Sequence, residues 1–127
     1  MMSEKLREIL KELNRKGKFK VSLLATSAGL VLNNCKKDNI DERVVSTMGT
    51  LISDLAFKTI EELDLSDVLS MKIWFKKDYI HMRNIILPNY KSQIIFAILT
   101  KLPKNDEEEA YIEQLLDWAI NIFEGFL

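Results

Sequence analysis

Three stretches in the second half of the chain, residues 68–76, 79–87 and 94–100, alternate their apolar and polar side chains with a period of two, the pattern of β-strands. The links between them leave few options. Lys76-Lys77-Asp78 is long enough only for a hairpin, and Pro88-Asn89 marks the next turn, so these strands must be antiparallel neighbours. Residues 94–99 are apolar throughout, which predicts burial on both faces and a central place in the sheet. In 68–76, Leu69, Met71, Ile73 and Phe75 face one way while Ser70, Lys72, Trp74 and Lys76 face the other. That half-polar face predicts an edge strand, open to pairing with another chain.

Upstream, residues 3–15 carry Leu6, Ile9, Leu10 and Leu13 on one narrow stripe, predicting a surface helix with Arg15, Lys16 and Gly17 at its C-terminal end. From Lys18 the period drops to two. Phe19, Val21, Leu23 and Ala25 alternate with Lys20, Ser22, Leu24 and Thr26, and a turn near Gly29 leads into Leu30-Val31-Leu32. The polar stretch 33–39 is expected to end that hairpin, with Cys35 in a polar loop. A second helix is predicted over about 40–63, its start marked by Asp38, Asn39, Asp41 and Glu42. Val44, Met48, Leu51, Ile52 and Leu55 form its predicted core face. On the far side Ser46, Gly49, Thr50 and Ser53 make a stripe of small residues, extended by Phe57 and Ile60. Such a stripe admits the close approach of a second packing partner; the alternative is that Gly49 makes room for a neighbouring loop. Asn105 caps a last helix over 106–123, with Glu108 at the capping-box position and Glu113, Asp117, Asn121 and Glu124 on its wet strip. The order α-β-β-α-β-β-β-α in 127 residues predicts one α/β (α+β) domain, with helices covering both faces of an antiparallel sheet.

The residue types exclude several chemistries. The glycines are isolated and form no phosphate-cradling motif. One histidine and one cysteine make no metal cluster, and no catalytic, cofactor or metal residue is assigned. His81 reads as a structural histidine, and the acidic run 106–109 as helix-start charge. The net charge of −1 and a pI near 5.9 lack the footprint of a nucleic-acid binder. Arg15, Lys16, Lys18 and Lys20 form a basic patch, read as a solvated face, with membrane-surface or phosphate contact as the second reading. No apolar run reaches the roughly 20 residues of a membrane span, the charged start is no signal peptide, and lone Cys35 fits a reducing cytoplasmic setting.

The segment VSLLATSAGLVL (21–32), with Ser27-Ala28-Gly29-Leu30 at its turn, the acidic start of the helix from Asp41 and the passage 64–75 resemble the roadblock-type dynein light chain domain family. Ala28 stands where an acidic residue or Asn is common in that family. The resemblance spans about residues 6–100 and reaches the last helix only by position. It implies a five-stranded antiparallel sheet with the long second helix on one face and the terminal helices on the other. It also implies dimerisation, with itself or a paralogue, through the third strand's edge and the second helix. The expected interface residues are Ser46, Gly49, Thr50, Ser53 and Phe57, with Ser70, Met71, Lys72, Ile73 and Trp74. The function implied is a non-enzymatic scaffold that binds and regulates a small Ras-like GTPase, or an adaptor in motor, trafficking or signalling complexes. A small-ligand sensor domain is the alternative; it would want polar groups aimed into a cavity, and the inward strand faces are nearly all apolar.

Overall fold

The computed structural model of the chain describes residues 2–86 and 93–127. Its elements are α1 (Met2–Gly17), β1 (Val21–Thr26), β2 (Val31–Lys36), α2 (Glu42–Ile52), a π-helical stretch (Ser53–Lys58), α3 (Thr59–Leu63), β3 (Ser70–Trp74), β4 (Asp78–Ile85), β5 (Ile94–Lys101) and α4 (Asp106–Phe126). The five strands form one sheet in the order β2-β1-β5-β4-β3, every pair antiparallel. The all-apolar strand is central and the half-polar one is at the edge, as their patterns predict. The expected turn at Pro88-Asn89 lies outside the described residues.

Each face of the sheet carries its own core. On one face α1 and α4 bury Leu6, Leu10, Leu13, Leu116 and Phe123 against Leu24, Phe96 and Ile98. Phe96 and Phe123 meet edge-on, 5.2 Å between ring centroids, the arrangement aromatic quadrupoles favour. On the other face α2 lays Val45, Met48 and Ile52 on Val21, Leu23, Ala25, Ile95 and Ala97.

The structure corrects several local expectations, each for an identifiable reason. α1 runs to Gly17, two residues past its expected end: Lys18, at φ 56°, takes the left-handed position, and the Phe19 N–H reaches back to the Asn14 carbonyl. Gly17 is needed for another reason, since a Cβ there would stand 2.4 Å from the Phe19 ring. The left-handed residue also breaks the alternation, so Phe19 joins Leu24 on the α1/α4 face and not Val21 and Leu23. β2 runs on through Asn33, Asn34 and Cys35. An edge strand tolerates these polar residues because neighbours satisfy them: Asn33 donates to the Ser3 carbonyl at 2.7 Å, and Asn14 donates to the Cys35 carbonyl at 3.0 Å. Glu108 accepts from the Lys104 N–H, one residue outside the capping-box position, while Asn105 accepts from the Glu108 N–H.

The largest correction concerns α2. Its start is as expected, with the Asp41 carboxylate accepting from the Arg43 N–H at 2.8 Å, a cap typically worth about 1 kcal/mol. Its buried face, however, is Val45, Met48, Gly49 and Ile52, while Val44 and Leu51 are half-buried and Leu55 is 49% exposed. Gly49 is pressed onto the β1–β2 turn, where an added Cβ would lie 2.7 Å from the Gly29 carbonyl oxygen. Ser53 donates to the Ser27 carbonyl of that same turn at 2.7 Å. The π-helical turn then shifts the phase, so Ala56 points inward in place of Leu55. The loop reading of Gly49 is therefore the one realised within the chain. Gly49→Ala is expected to cost about 1–3 kcal/mol by overpacking, whereas Gly125→Ala, with nothing within 4 Å, should be neutral or stabilising; urea unfolding of both variants measures the contrast.

Candidate functional site

A sheet of this kind has two edges, and the described residues treat them differently. Along β1–β2 the register slips between Leu24 and Ala25, a bulge that twists β2 and, with Asn33, Asn34 and Lys36, blunts it as a template. β3 pairs with β4 without a slip, from Ser70↔Arg83 to Trp74↔Tyr79. The flanking bonds, Phe75 N–H to Asp78 and Asn84 N–H to Leu69, set the phase of this ladder. Antiparallel pairs alternate, so Met71 and Ile73 direct their backbone groups to β4. Ser70, Lys72 and Trp74 then turn their N–H and C=O groups outward, to an edge that nothing in the described chain covers.

The two sides of this edge differ in chemistry. Toward α2, Met71 and Ile73 are half-buried at the margin of the core. Beside them opens an apolar groove of about 760 Å³, walled by Val44, Thr47 and Leu51 of α2 and by Phe75, Ile80 and Leu99 of the sheet. The Lys20–Asp78 ion pair, at 2.5 Å, stands at its rim. Phe75 is 44% exposed there. The groove opens because α2 packs chiefly over β1 and β2; Ile80 and Met82 of β4 are buried in the same core, while Met71 and Ile73 of β3 are only half-buried.

Toward α4 the edge is closed by charge. Lys72 bridges Glu109 at 3.2 Å and Glu113 at 3.0 Å, and Arg83 pairs with Glu113 and with Asp117 at 2.8 Å. Glu113 is thus drawn partly under the network, on the sheet side of α4, while Asp117 stays exposed on the wet strip and reaches Arg83 from there. Burial resists ionisation of Glu113, but hydrogen bonds from Lys72 and Arg83 outweigh it and hold its carboxyl below the usual range. Beneath this network lies His81, 1% exposed, its Nδ1 3.4 Å from the Tyr79 hydroxyl and 3.6 Å from Glu113. Burial pushes the ring down to about 4, against the Glu113 carboxylate that favours protonation, and pushes the Tyr79 hydroxyl up to about 12. His81 is a neutral core residue. Cys35, its only sequence candidate as a nucleophilic partner, shares a row of the sheet with it through Ser22 and Ile98. Three strand spacings, roughly 14 Å, separate the two. Among the described residues no group of three or more His, Cys, Asp or Glu is placed to hold a metal, and no helix is long and apolar enough to cross a membrane.

The ten residues expected at an interface therefore divide. Ser70, Lys72 and Trp74 hold the outward edge positions, with Met71 and Ile73 between them. Gly49 and Ser53 are occupied by the chain's own turn, and Phe57 is half-buried against the α2-side core. Ser46 and Thr50 are exposed, their hydroxyls donating to the Arg43 and Ser46 carbonyls of their own helix. The groove residues Val44, Leu51 and Phe75 were hidden in the sequence because their apolar character assigned them to the chain's own core.

Neither a family model nor a curated protein sequence matches the chain. Solved structures do match its fold. The gliding protein MglB from Thermus thermophilus superposes with a TM-score of 0.77 at 13% identity, over 98% of this chain and 90% of that one. An MglB with a tetrameric arrangement gives 0.76 at 12%, over 98% and 89%. A Roadblock/LC7 domain from Streptomyces avermitilis gives 0.72 at 14%, over 94% and 95%. This chain has the Roadblock/LC7 fold.

His81 makes the stability of this fold depend on pH. The ring binds its proton near 6.5 when unfolded but only near 4 when folded, so the unfolded state takes up more protons between those values. Stability is expected to be full above pH 6.5 and to fall by about 1–3 kcal/mol as the pH drops toward 4. His81→Leu should flatten that slope in urea titrations run across the same pH window.

Proposed function

We propose that this chain is a non-enzymatic scaffold that pairs with a second copy or a paralogue through β3 and offers the joined surface to a small Ras-like GTPase in the cytoplasm. The observation that carries the proposal is the unbulged, uncovered β3 edge with an apolar groove beside it. Pairing β3 with β3 would satisfy the outward groups of Ser70, Lys72 and Trp74 and extend the five strands into a ten-stranded sheet. The groove along α2 would receive apolar surface from the partner, with the exposed Leu55 and Phe75 among the side chains available to contribute it.

The GTPase half of the proposal rests on the sequence resemblance and on the shared fold. MglB, one of the proteins of this fold, is a gliding protein and adopts a tetrameric arrangement, which supports self-association as a use of the architecture. A small-ligand sensor would need an enclosed, partly polar cavity. The groove is open and mainly apolar, with Thr47 and the Lys20–Asp78 and Arg43–Asp41 ion pairs in its lining, which suits a protein face better.

Sedimentation equilibrium tests the pairing. The expected result is a species at twice 14.8 kDa. Ser70→Pro removes an outward N–H and leaves the β3–β4 ladder intact, so it should weaken self-association at least tenfold with little change in thermal stability. Met71→Pro breaks the ladder inside the monomer and should destabilise the fold itself. A monomer at every concentration, or a dimer indifferent to Ser70→Pro, would count against this edge. A paired chain should bind its GTPase in a nucleotide-dependent way and show no GTP turnover alone.

A further inference from the structure

On the α1/α4 face, at the end of the sheet where β1 begins and β5 ends, lies a cavity of about 630 Å³ that neither the edge nor the groove uses. Three distant stretches of chain supply its rim: Lys16 and Lys18 at the end of α1, Lys77 in the β3–β4 turn, and Lys101 and Lys104 at and beyond the end of β5. Its wall is apolar and aromatic, from Leu102, Pro103, Tyr111 and Ile112. The chain does little to neutralise this ring. Lys16 sits 4.3 Å over the Trp118 ring. Glu108, the acid lining the cavity, turns its carboxylate to the Lys104 backbone N–H at 2.8 Å. Lys18, Lys77, Lys101 and Lys104 have no ion-pair partner among the described residues.

Elsewhere six cations find acids: Arg15 pairs with Glu12, Lys20 with Asp78, Arg43 with Asp41, Lys58 with Asp54, and Lys72 and Arg83 with the acids of α4. Other surface cations, such as Lys11, Lys36 and Lys76, also lack an ion pair among the described residues; what sets the cavity lysines apart is that three stretches of chain bring them to one concavity. A chain of net charge −1 that nonetheless gathers unpaired ammonium groups around one concavity holds a repulsion that an anion would relieve. Lysines on flexible stems, without the bidentate fork of arginine, suit an anion carrying several phosphates and free to choose its contacts. The exposed Tyr111 adds a hydroxyl donor at the wall.

We propose that this cavity binds a multiply phosphorylated anion, supplied either as a soluble polyphosphate or as the headgroup of a phosphoinositide. The site lies across the sheet from the groove, so it is present in every copy whether or not the chain pairs.

The test is a calorimetric titration of the full chain with inositol hexakisphosphate, run beside Lys77→Gln/Lys101→Gln and, as a control at the same end of the sheet but outside the cavity, Lys36→Gln/Lys37→Gln. Saturable binding with one ligand per chain is expected. Each cavity lysine removed should weaken it about tenfold, as for a lost charge-assisted hydrogen bond, while the control pair binds as the parent does. Without ligand the cavity variant should melt at the same temperature as the parent or higher, because a repulsion has been removed. With inositol hexakisphosphate the parent alone should gain stability. Co-sedimentation with phosphatidylcholine vesicles containing phosphatidylinositol bisphosphate separates the two sources. Binding to these vesicles assigns the headgroup, and binding to the soluble anion alone assigns a free polyphosphate. Failure to bind either, or equal loss in both lysine pairs, would overturn the proposal in favour of a diffuse positive field.

Discussion

The central strand β5 is the constraint on which the other elements depend. It pairs with β1 on one side and β4 on the other, and Ile95, Phe96, Ala97 and Ile98 are fully buried. A strand dry on both faces needs an apolar layer above and below it. The two cores follow from that need: α1 and α4 shield Phe96 and Ile98, while α2 shields Ile95 and Ala97. Because the connections between neighbouring strands are short, the remaining strands can only add outward in antiparallel order, which sends β2 and β3 to the two edges.

The groove beside the β3 edge is a by-product of how α2 sits. The close approach of Gly49 to Gly29 draws the helix onto the β1–β2 turn, and the Ser53–Ser27 hydrogen bond holds it there. On this face Ile80 and Met82 of β4 are still buried, but Met71 and Ile73 of β3 are only half-buried. The cover thus thins out toward β3, which is also the edge without a bulge. Side-chain chemistry then selects the direction of approach. On the α4 side Lys72, Arg83, Glu113 and Asp117 satisfy one another; on the α2 side the surface is apolar.

Charge follows the same division. Acids and bases that face each other across β3, β4 and α4 are joined in one network over a neutral, buried His81. The lysines at the far end of the sheet are left without partners. Composition hides this difference, since a net charge of −1 averages a balanced network with an unbalanced cavity.

Much of the fold was legible in the residues. The hairpin pairings, the central place of residues 94–99, the edge character of 68–76, the capped starts of α2 and α4 and the placement of helices on both faces follow from period, link length and capping chemistry, all local properties; that β1 lies beside β5 does not. The misreadings have a common cause. Leu55 read as core and lies exposed, Val44 and Leu51 reach the core only in part, and Gly49, open to a partner or a loop, met the loop, because apolar or small character tells what a side chain prefers but not what it will meet. Phe19 changed faces because one left-handed residue reset the alternation. Glu113 left the wet strip because its cations, Lys72 and Arg83, lie far from it in sequence. Likewise Lys18, Lys77 and Lys101 are unremarkable apart and form a ring only when the sheet brings them together. The sequence by itself determined which segments are strands and helices and which consecutive strands must be hairpin neighbours, since those choices rest on contacts within a few residues. Only the tertiary structure decided which apolar surface stays uncovered and which charges stay unpaired, because both depend on packing between distant segments, and no local pattern encodes that.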